Sequence, residues 1–318
     1  MSTHPATELP VALINLDKGL EKGQSLHLLD EVMAPCAQTR PALIVVNEAC
    51  WLTPRRIPER EAAHRLSQLC GVRYEIFTGT LERSYTPPAL LWDTDRLRLT
   101  EFSDERSDHH RWGHNAARMA SLNSTHADLR VLMAHFDYAS GQRRLMEAQT
   151  LAAQVRPGHP VLVAGDLNAT ASGPHLPARD WARVPVHQRH HKGRQLTDGT
   201  FVTDTRALDT LIGVWDAQAG TRRGGVGLRA LAEADWDQQG RPAHGLAPTV
   251  YEDEPLLIDW LLATPDIDLV PDTYRVWEGE PHHTDHTLIT ATIRLPRRRT
   301  VTASAGRASA PVPRIPST

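Results

Sequence analysis

The chain has 318 residues, of which 40% are hydrophobic and 23% are charged, and its formal net charge is −3. This balance is typical of a soluble globular protein and excludes an intrinsically disordered one. The net negative charge also excludes bulk attraction of polyanions, so any contact with nucleic acid must come from a local basic patch.

Short apolar runs, mostly rich in β-branched residues and bounded by turn or polar residues, predict six strands. In chain order these strands cover residues 11–16, 42–46, 129–134, 161–164, 256–263 and 286–295. The intervening stretches predict helices over residues 24–33, 59–70 and 141–155, the last with apolar residues at helical spacing. Alternating strands and helices predict a layered α/β architecture, with helices packed on the faces of sheets.

Two segments differ in composition from this alternating pattern. Residues 169–247 mix Gly, Pro, His and Arg in irregular order around one strand-like piece at 211–215, which predicts long loops on a core and not a second domain. Residues 297–318 are rich in small residues and Pro without apolar periodicity, which predicts a disordered tail. We therefore expect one domain over residues 1–296, with a loop insertion at about 169–247.

The cysteines and the apolar runs bear on the compartment. Cys36, Cys50 and Cys70 are odd in number and lack CxxC spacing, which predicts reduced, buried thiols and neither a zinc site nor a redox pair. No run approaches the roughly 18 apolar residues of a membrane span, and the first ten residues lack the pattern of a signal peptide. We expect a cytoplasmic protein without membrane contact, with a monomer as the default state.

Polar residues follow the predicted strands directly, where an α/β core places ligand-binding groups in a crevice. All of them are carboxylates, amides or imidazoles. In chain order they are Asn15, Asp17, Glu48, His135, Asp166, Asn168, Asp259, Asp285 and His286.

The motifs around these residues resemble those of the exonuclease-endonuclease-phosphatase superfamily, the DNase-I-like proteins. VLVAGDLN is similar to the GDxN signature of that superfamily, and HHTDH to its terminal SDH motif. INLD, VNEA, MAHFD and IDWLL resemble further motifs of the superfamily and occur in its order, between residue 11 and about residue 295. The resemblance implies a two-layered β-sandwich flanked by helices, a four-layer αββα fold, and a metal-dependent phosphoesterase.

The resemblance also implies roles for individual residues. Asn15 and Arg118 match positions that contact the substrate phosphate, and His135 matches a histidine that donates to it. Asp259 matches the residue that orients the catalytic His286. The chain departs from the pattern where Asn47 replaces the usual Gln, Trp260 the usual Tyr and Leu257 a frequent Arg, which weakens assignment to a subfamily without removing a ligand or proton carrier.

Phosphoester chemistry accounts for this combination of residue types. Mg²⁺ prefers octahedral oxygen ligands and keeps several waters, so a few carboxylates hold it, and Mn²⁺ is an alternative. Glu48 is the first expected ligand. The further candidates for contact with the metal, directly or through water, are Asn15, Asp17 and Asp285.

The attacking water must also lose a proton. His286 suits that step because an unperturbed imidazole has a pKa near about 6.5. Asp259 lies in an apolar run, where an unpaired buried carboxylate is costly, so it requires a partner such as His286. Asp166 is a competing candidate for the base, and Asn168 is expected beside it near the water and a phosphate oxygen.

Three functions are compatible with the sequence. The first is an endonuclease- or exonuclease-type phosphodiesterase that hydrolyses nucleic acid by in-line attack of water, with backbone contacts from Arg55, Arg56 and the basic segment 183–194. The second is a phosphatase or phosphodiesterase for a small phosphorylated metabolite. The third is an inactive binding scaffold, which loss of site residues would indicate. The irregular spacing of His187, His190 and His191 favours a solvated or phosphate-facing loop over a zinc site.

Overall fold

The computed structural model of the chain describes residues 8–17, 26–49, 59–79, 87–103, 115–122, 126–251, 255–278 and 284–298. Within these ranges, no helix is long and apolar enough to cross a membrane. The elements are, in chain order, β1 (Glu8–Asn15), α1 (Leu26–Met33), α2 (Cys36–Thr39), β2 (Leu43–Asn47), α3 (Glu59–Cys70), β3 (Tyr74–Thr78), β4 (Ala89–Asp93), β5 (Leu97–Ser103), β6 (Asn115–Ser121), β7 (Leu129–His135), α4 (Gly141–Ala152), β8 (Val161–Asp166), α5 (Arg189–Lys192), β9 (Gly193–Gln195), β10 (Phe201–Thr203), α6 (Arg206–Ile212), β11 (Val214–Asp216), β12 (Thr221–Arg223), β13 (Arg229–Ala230), α7 (Leu231–Gln238), β14 (Asp259–Ala263), β15 (Asp268–Leu269), β16 (Arg275–Trp277) and β17 (Leu288–Arg294).

Two large sheets form the centre of the protein. The first has the strand order β15-β17-β1-β2-β4-β3, with β16 also on β17, and the second has the order β13-β14-β8-β7-β6-β5. Each sheet has one parallel pair near its middle, β1 with β2 and β7 with β8, and its other pairs are antiparallel. The described residues also form two small hairpins, β9 with β10 and β11 with β12.

The central strands are buried on both faces, which explains why they read as nearly continuous apolar runs. Along β1, Leu9, Val11 and Leu13 face the core between the two sheets, whereas Ala12 and Ile14 face the helices α1 and α3. The outer face of the second sheet packs against α4 and α6 in the same way. The result is the four-layer αββα arrangement that the motif order implies.

The six predicted strands and three predicted helices are all present, with shifted ends. In the predicted strand 256–263, only Asp259–Ala263 is a strand. Strands β3, β4, β5 and β6 were not among the six. Strand β5 shows why, because Arg98, Thr100 and Glu101 interrupt its apolar residues and its register with β6 shifts between Leu99 and Glu101.

The insertion contains more regular structure than the loop prediction allows. The prediction of a strand over 211–215 is wrong for its first half, since Leu211 and Ile212 end α6 and are buried under the second sheet. Gly213, with φ +91°, ends this helix, and the strand begins at the next residue. Arg297, at the start of the predicted tail, forms a β-bridge with His126, and residues 299–318 lie outside the described residues.

Two of the three cysteines can be compared with the prediction. Cys36 and Cys70 are free and buried, as the absence of CxxC spacing predicts. Cys50 lies outside the described residues.

Candidate active site

The sheet registers bring the predicted site residues to one end of the sandwich. In the first sheet Asn15, at the end of β1, is opposite Asn47, at the end of β2. In the second sheet Asp166 is opposite both His135 and Asp259. Residues from distant parts of the chain therefore meet because the last residues of β1, β2, β7 and β8 and the first residue of β14 lie at the same end of the sandwich.

Asp166 is the central acceptor of this cluster and is only 2% exposed. Its Oδ1 accepts from the backbone N–H of Asn168 at 2.8 Å. Its Oδ2 accepts from the side-chain amides of Asn168 at 3.0 Å and of Asn15 at 3.1 Å. The Asn15 amide also lies 3.4 Å from Glu48 Oε1, so it connects carboxylates that come from the two sheets.

Asn47 is fully buried and joins the two sheets directly behind Asp166. Its Nδ2 donates to the backbone oxygen of Ala134 at 3.1 Å, and its Oδ1 accepts the backbone N–H of Asp166 at 2.9 Å. The position that departs from the family pattern therefore has a structural role, which the sequence did not reveal.

Among the described site residues, His286 and Asp259 form the closest pair of an imidazole and a carboxylate. The distance between His286 Nδ1 and Asp259 Oδ2 is 2.8 Å, and Asp259 is 1% exposed. Burial by itself would lower the pKa of His286, but the charge of Asp259, with those of Asp166 and Asp285, outweighs it and raises this pKa to about 10. Burial raises the pKa of Asp259. The buried carboxylate that the apolar IDWLL run places in the core thus has the partner that it requires.

His135 and Glu48 lie on the open side of the cluster. His135 Nε2 lies 3.5 Å from Glu48 Oε1 and 3.7 Å from Asp166 Oδ2. The His135 side chain is 21% exposed and that of Glu48 is 15% exposed, so both reach the surface of the crevice.

Asp285 and Asp17 complete the acidic side of the site. Asp285 Oδ1 is buried without a hydrogen-bond partner, and it lies 3.7 Å from His286 Nε2. Burial raises the pKa of Asp285, and the charges of Asp17 and Asp166 raise it further. The backbone N–H of Asp17 donates to Asn15 Oδ1 at 3.0 Å, which forms a turn that holds the Asn15 amide in place.

Three residues of the site have a strained backbone. Asp17, Glu48 and Asn168 have φ values of +40°, +56° and +48°, which makes them three of the six non-glycine residues with positive φ in the described part of the chain. Such strain persists where the surrounding structure enforces it, and it is concentrated at functional sites.

The donor set fits a hard divalent cation. Ligand atoms of Asp166, Asp259 and His286 lie within 4.8 Å of one another. Asp259 Oδ1 and Asp285 Oδ1 are both buried without a hydrogen-bond partner, and a buried anionic oxygen without a partner is costly. This cluster differs from the predicted ligands Glu48, Asp17 and Asp285, which lie around it.

Arg118 is not part of the site. It lies on β6 opposite Arg130, and His135 is five residues further along β7, about 17 Å away at the usual strand rise. The Arg118 side chain is 51% exposed and pairs with Glu101 at 3.3 Å. It also lines a cleft of about 720 Å³ with Arg130 and Arg297. The predicted phosphate contact is therefore wrong in this structure, because Arg118 lies toward the opposite end of the strands from the site.

Lys192 is a site residue that the sequence did not single out, although it belongs to the basic segment 183–194 expected to contact a nucleic-acid backbone. Its Nζ donates to Asn168 Oδ1. Burial, with the charges of Arg144 and Arg179, lowers its pKa to about 8, although the charge of Asp166 acts in the opposite direction. The residue was missed because it reaches the site from the insertion and not from the end of a predicted strand.

Comparison with solved structures finds the same fold at low sequence identity. TDP2 of D. rerio, solved in complex with a single strand DNA product, has a TM-score of 0.55 at 14% identity, covering 91% of this chain and 99% of that chain. ANGEL2, described as a 2′,3′-cyclic phosphatase and solved with adenosine-2′,3′-vanadate, has a TM-score of 0.58 at 12% identity, with coverage of 91% and 96%. An endonuclease/exonuclease/phosphatase protein of Bacteroides vulgatus has a TM-score of 0.54 at 12% identity, with coverage of 91% and 99%. No protein-family model and no curated protein matches the chain.

Proposed function

We propose that this chain, which has the DNase-I-like fold of the exonuclease-endonuclease-phosphatase proteins, is a metal-dependent phosphodiesterase that hydrolyses nucleic acid. The observation that carries the proposal is the convergence at one edge of the sandwich. There a buried Asp259–His286 pair adjoins Asp166, which is hydrogen-bonded to Asn15 and Asn168. An inactive scaffold would have no need to keep this combination of buried charges, since such groups cost stability.

Mg²⁺ is the proposed cofactor, with Mn²⁺ as an alternative, because most of the donors are carboxylate oxygens. Glu48, Asp17 and Asp285 would hold it, with Asp166 beside them. A bound dication supplies polarisation of the phosphoryl group and stabilises charge on the departing oxygen. The unpartnered oxygen of Asp285 supports this assignment.

His286 is the proposed general base. Asp259 accepts from its Nδ1, which fixes the ring and leaves Nε2 facing the site, 3.8 Å from Asp166 Oδ2. The competing candidate, Asp166, already accepts three hydrogen bonds through its two oxygens, so it is better suited to holding Asn15 and Asn168 than to taking a proton. Two of the carboxylates that raise the pKa of His286, Asp166 and Asp285, would also lie at the cation. The imidazole would therefore lose its proton at a lower pH in the loaded protein.

Amide and imidazole donors around Asp166 are the proposed phosphate contacts. Asn15 Nδ2 and His135 Nε2 both lie within 4 Å of the carboxylates that border the crevice. Donors that are fixed before the substrate arrives stabilise charge on the phosphoryl oxygens without further reorganisation.

Nucleic acid is the proposed substrate because the basic segment 183–194 joins the site through Lys192. Arg183, His187 and Arg194 of this segment are exposed, as contacts to a phosphate backbone require. Arg55 and Arg56 lie outside the described residues. The DNA product of TDP2 and the adenosine-2′,3′-vanadate of ANGEL2 support the same substrate class. The alternative, a small phosphorylated metabolite, is distinguished by the activity of the protein on small esters.

The test compares polymers with small esters. The purified protein is incubated with Mg²⁺ or Mn²⁺ and with single-stranded DNA, RNA, duplex DNA, bis-p-nitrophenyl phosphate or p-nitrophenyl phosphate. We expect cleavage of polymer that chelator abolishes and that His286→Gln lowers by about 10²- to 10⁴-fold. His64→Gln is the matched control, because His64 is exposed on α3, which packs on the outer face of the first sheet. Hydrolysis of small monoesters alone would overturn the substrate, and no hydrolysis of any ester would overturn the function.

A further inference from the structure

Lys192 has a defined position beside the phosphate-binding side of the site. Its Nζ donates to Asn168 Oδ1, while Asn168 Nδ2 donates to Asp166 Oδ2 at 3.0 Å and to the backbone oxygen of Phe136 at 3.1 Å. Since both donor positions of the amide are directed away from Lys192, the amide oxygen is the acceptor available to it. Asn168 therefore lies between the ammonium group and Asp166 and is hydrogen-bonded to both.

The backbone at Lys192 and at the residue after it is anchored. Its carbonyl oxygen accepts from the backbone N–H of Asp204 at 3.0 Å. Arg206 holds the Asp204 carboxylate through two hydrogen bonds of 2.8 Å each. The next residue, Gly193, lies against Trp181 so closely that an added Cβ would be 2.6 Å from its ring. The insertion thus presents this lysine to the site from a fixed backbone.

The charge of Lys192 is not balanced by a carboxylate at ion-pair distance within the described ranges. The side-chain partner of its ammonium group there is the neutral Asn168 amide. An ammonium has three donors, so two remain for another acceptor. Arg144 and Arg179 add positive charge nearby, and Asp166 and Asp259 add negative charge. A partly buried cation whose hydrogen-bond partner is neutral is destabilised, which favours an anion as a further partner.

We propose that Lys192 binds a non-bridging oxygen of the substrate's phosphoryl group and so makes the insertion part of the substrate site. The proposal rests on the proposed phosphoesterase function. It assigns to Lys192 a contact with the substrate and to Asn168 the role of directing the ammonium toward it. No covalent bond is made to the lysine, and its role is to offset negative charge on phosphorus-bound oxygens.

Lysine NMR tests the contact without depending on turnover. The chain has three lysines, Lys18, Lys22 and Lys192, so protein labelled with ¹³C-lysine gives few signals, and Lys192→Met assigns the third. We expect inorganic phosphate or orthovanadate to shift the Lys192 side-chain signal. An unshifted Lys192 signal at phosphate concentrations that saturate the protein would overturn the proposal.

Kinetics with bis-p-nitrophenyl phosphate provide the second readout. We expect Lys192→Met to lower kcat/KM and to weaken inhibition by phosphate, each by roughly 10- to 100-fold, as for loss of a charged hydrogen bond. Lys192→Arg should recover part of both because the charge remains. Arg98→Gln, which removes an exposed charge on β5, is the control for net charge.

The outcomes separate this inference from the function on which it rests. A wild-type protein that hydrolyses diesters, with a Lys192→Met variant that has the same kcat/KM and phosphate inhibition, would refute the lysine contact and leave the function intact. An inactive wild-type protein whose Lys192 signal still moves with phosphate would refute the function and support the contact. Thermal unfolding of each variant establishes that a loss does not come from misfolding.

Discussion

Asn47 provides a test of the structure that needs no substrate. It is 0% exposed, and it satisfies the buried carbonyl of Ala134 and the buried N–H of Asp166. Asn47→Ala would leave both groups without partners, and each such group costs about 1–3 kcal/mol. We therefore expect the free energy of unfolding to fall by about 2–5 kcal/mol, measured in urea with an unchanged denaturant slope.

The isosteric variant Asn47→Asp makes the test sharper. An ionised carboxylate at this position could still accept from the Asp166 N–H, but it could not donate to the Ala134 oxygen. Burial would raise the folded-state pKa of the new carboxyl above its unfolded value, so stability would be lost as the pH rises through that folded pKa. We expect a smaller penalty near about pH 4 than at neutral pH. Gln218→Ala, at an exposed turn, is the control. A loss below about 1 kcal/mol for Asn47→Ala would refute the reasoning.

Further predictions concern charges that the structure buries. Asp259→Asn should lower the pKa of His286 from about 10, a change that NMR of the metal-free protein would measure. The same substitution should reduce kcat by at least about 100-fold. An unchanged His286 pKa would contradict the pairing. Burial raises the pKa of Glu147 to about 7, so its contribution to stability is full below about pH 4.5 and is lost as the pH rises through 7. In urea unfolding, the free energy of unfolding of Glu147→Gln relative to the wild type should therefore rise by about 2 kcal/mol between about pH 5 and pH 8. Parallel pH profiles of the two proteins would contradict this. Glu233→Ala would remove the closer carboxylate of Arg222, bonded to it at 2.7 Å, and leave Asp209 at 3.6 Å. This change should cost about 2–3 kcal/mol in the same assay, and a loss within about 1 kcal/mol would contradict it.

The central strands could be predicted because burial on both faces leaves a clear apolar signal. Val11, Val45 and Leu132 belong to runs of this kind. Strands with one face toward solvent carry a weaker signal, and β5 is an example, since Arg98 and Glu101 are exposed on it. The short helix α6 was not predicted because its seven residues are too few to show a clear helical periodicity, although Gly213 follows its last residue.

The site residues could be predicted where chemistry and strand ends coincide. Asp166, Asp259 and His286 follow or lie in apolar runs, and the structure brings their side chains together. Arg118 was misplaced because its assignment depended on a resemblance, which does not reveal the register of β6 with β7. Lys192 was missed because contacts made by an insertion depend on tertiary packing, which a single sequence does not encode in any local pattern.

Anomalous diffraction from crystals soaked with Mn²⁺ and inorganic phosphate tests the central claim most directly. We expect a manganese peak among the carboxylates of Glu48, Asp17 and Asp285, next to Asp166, with phosphate beside His286. A manganese peak at another part of the surface, with these carboxylates unliganded at saturating Mn²⁺, would contradict the proposed metal site.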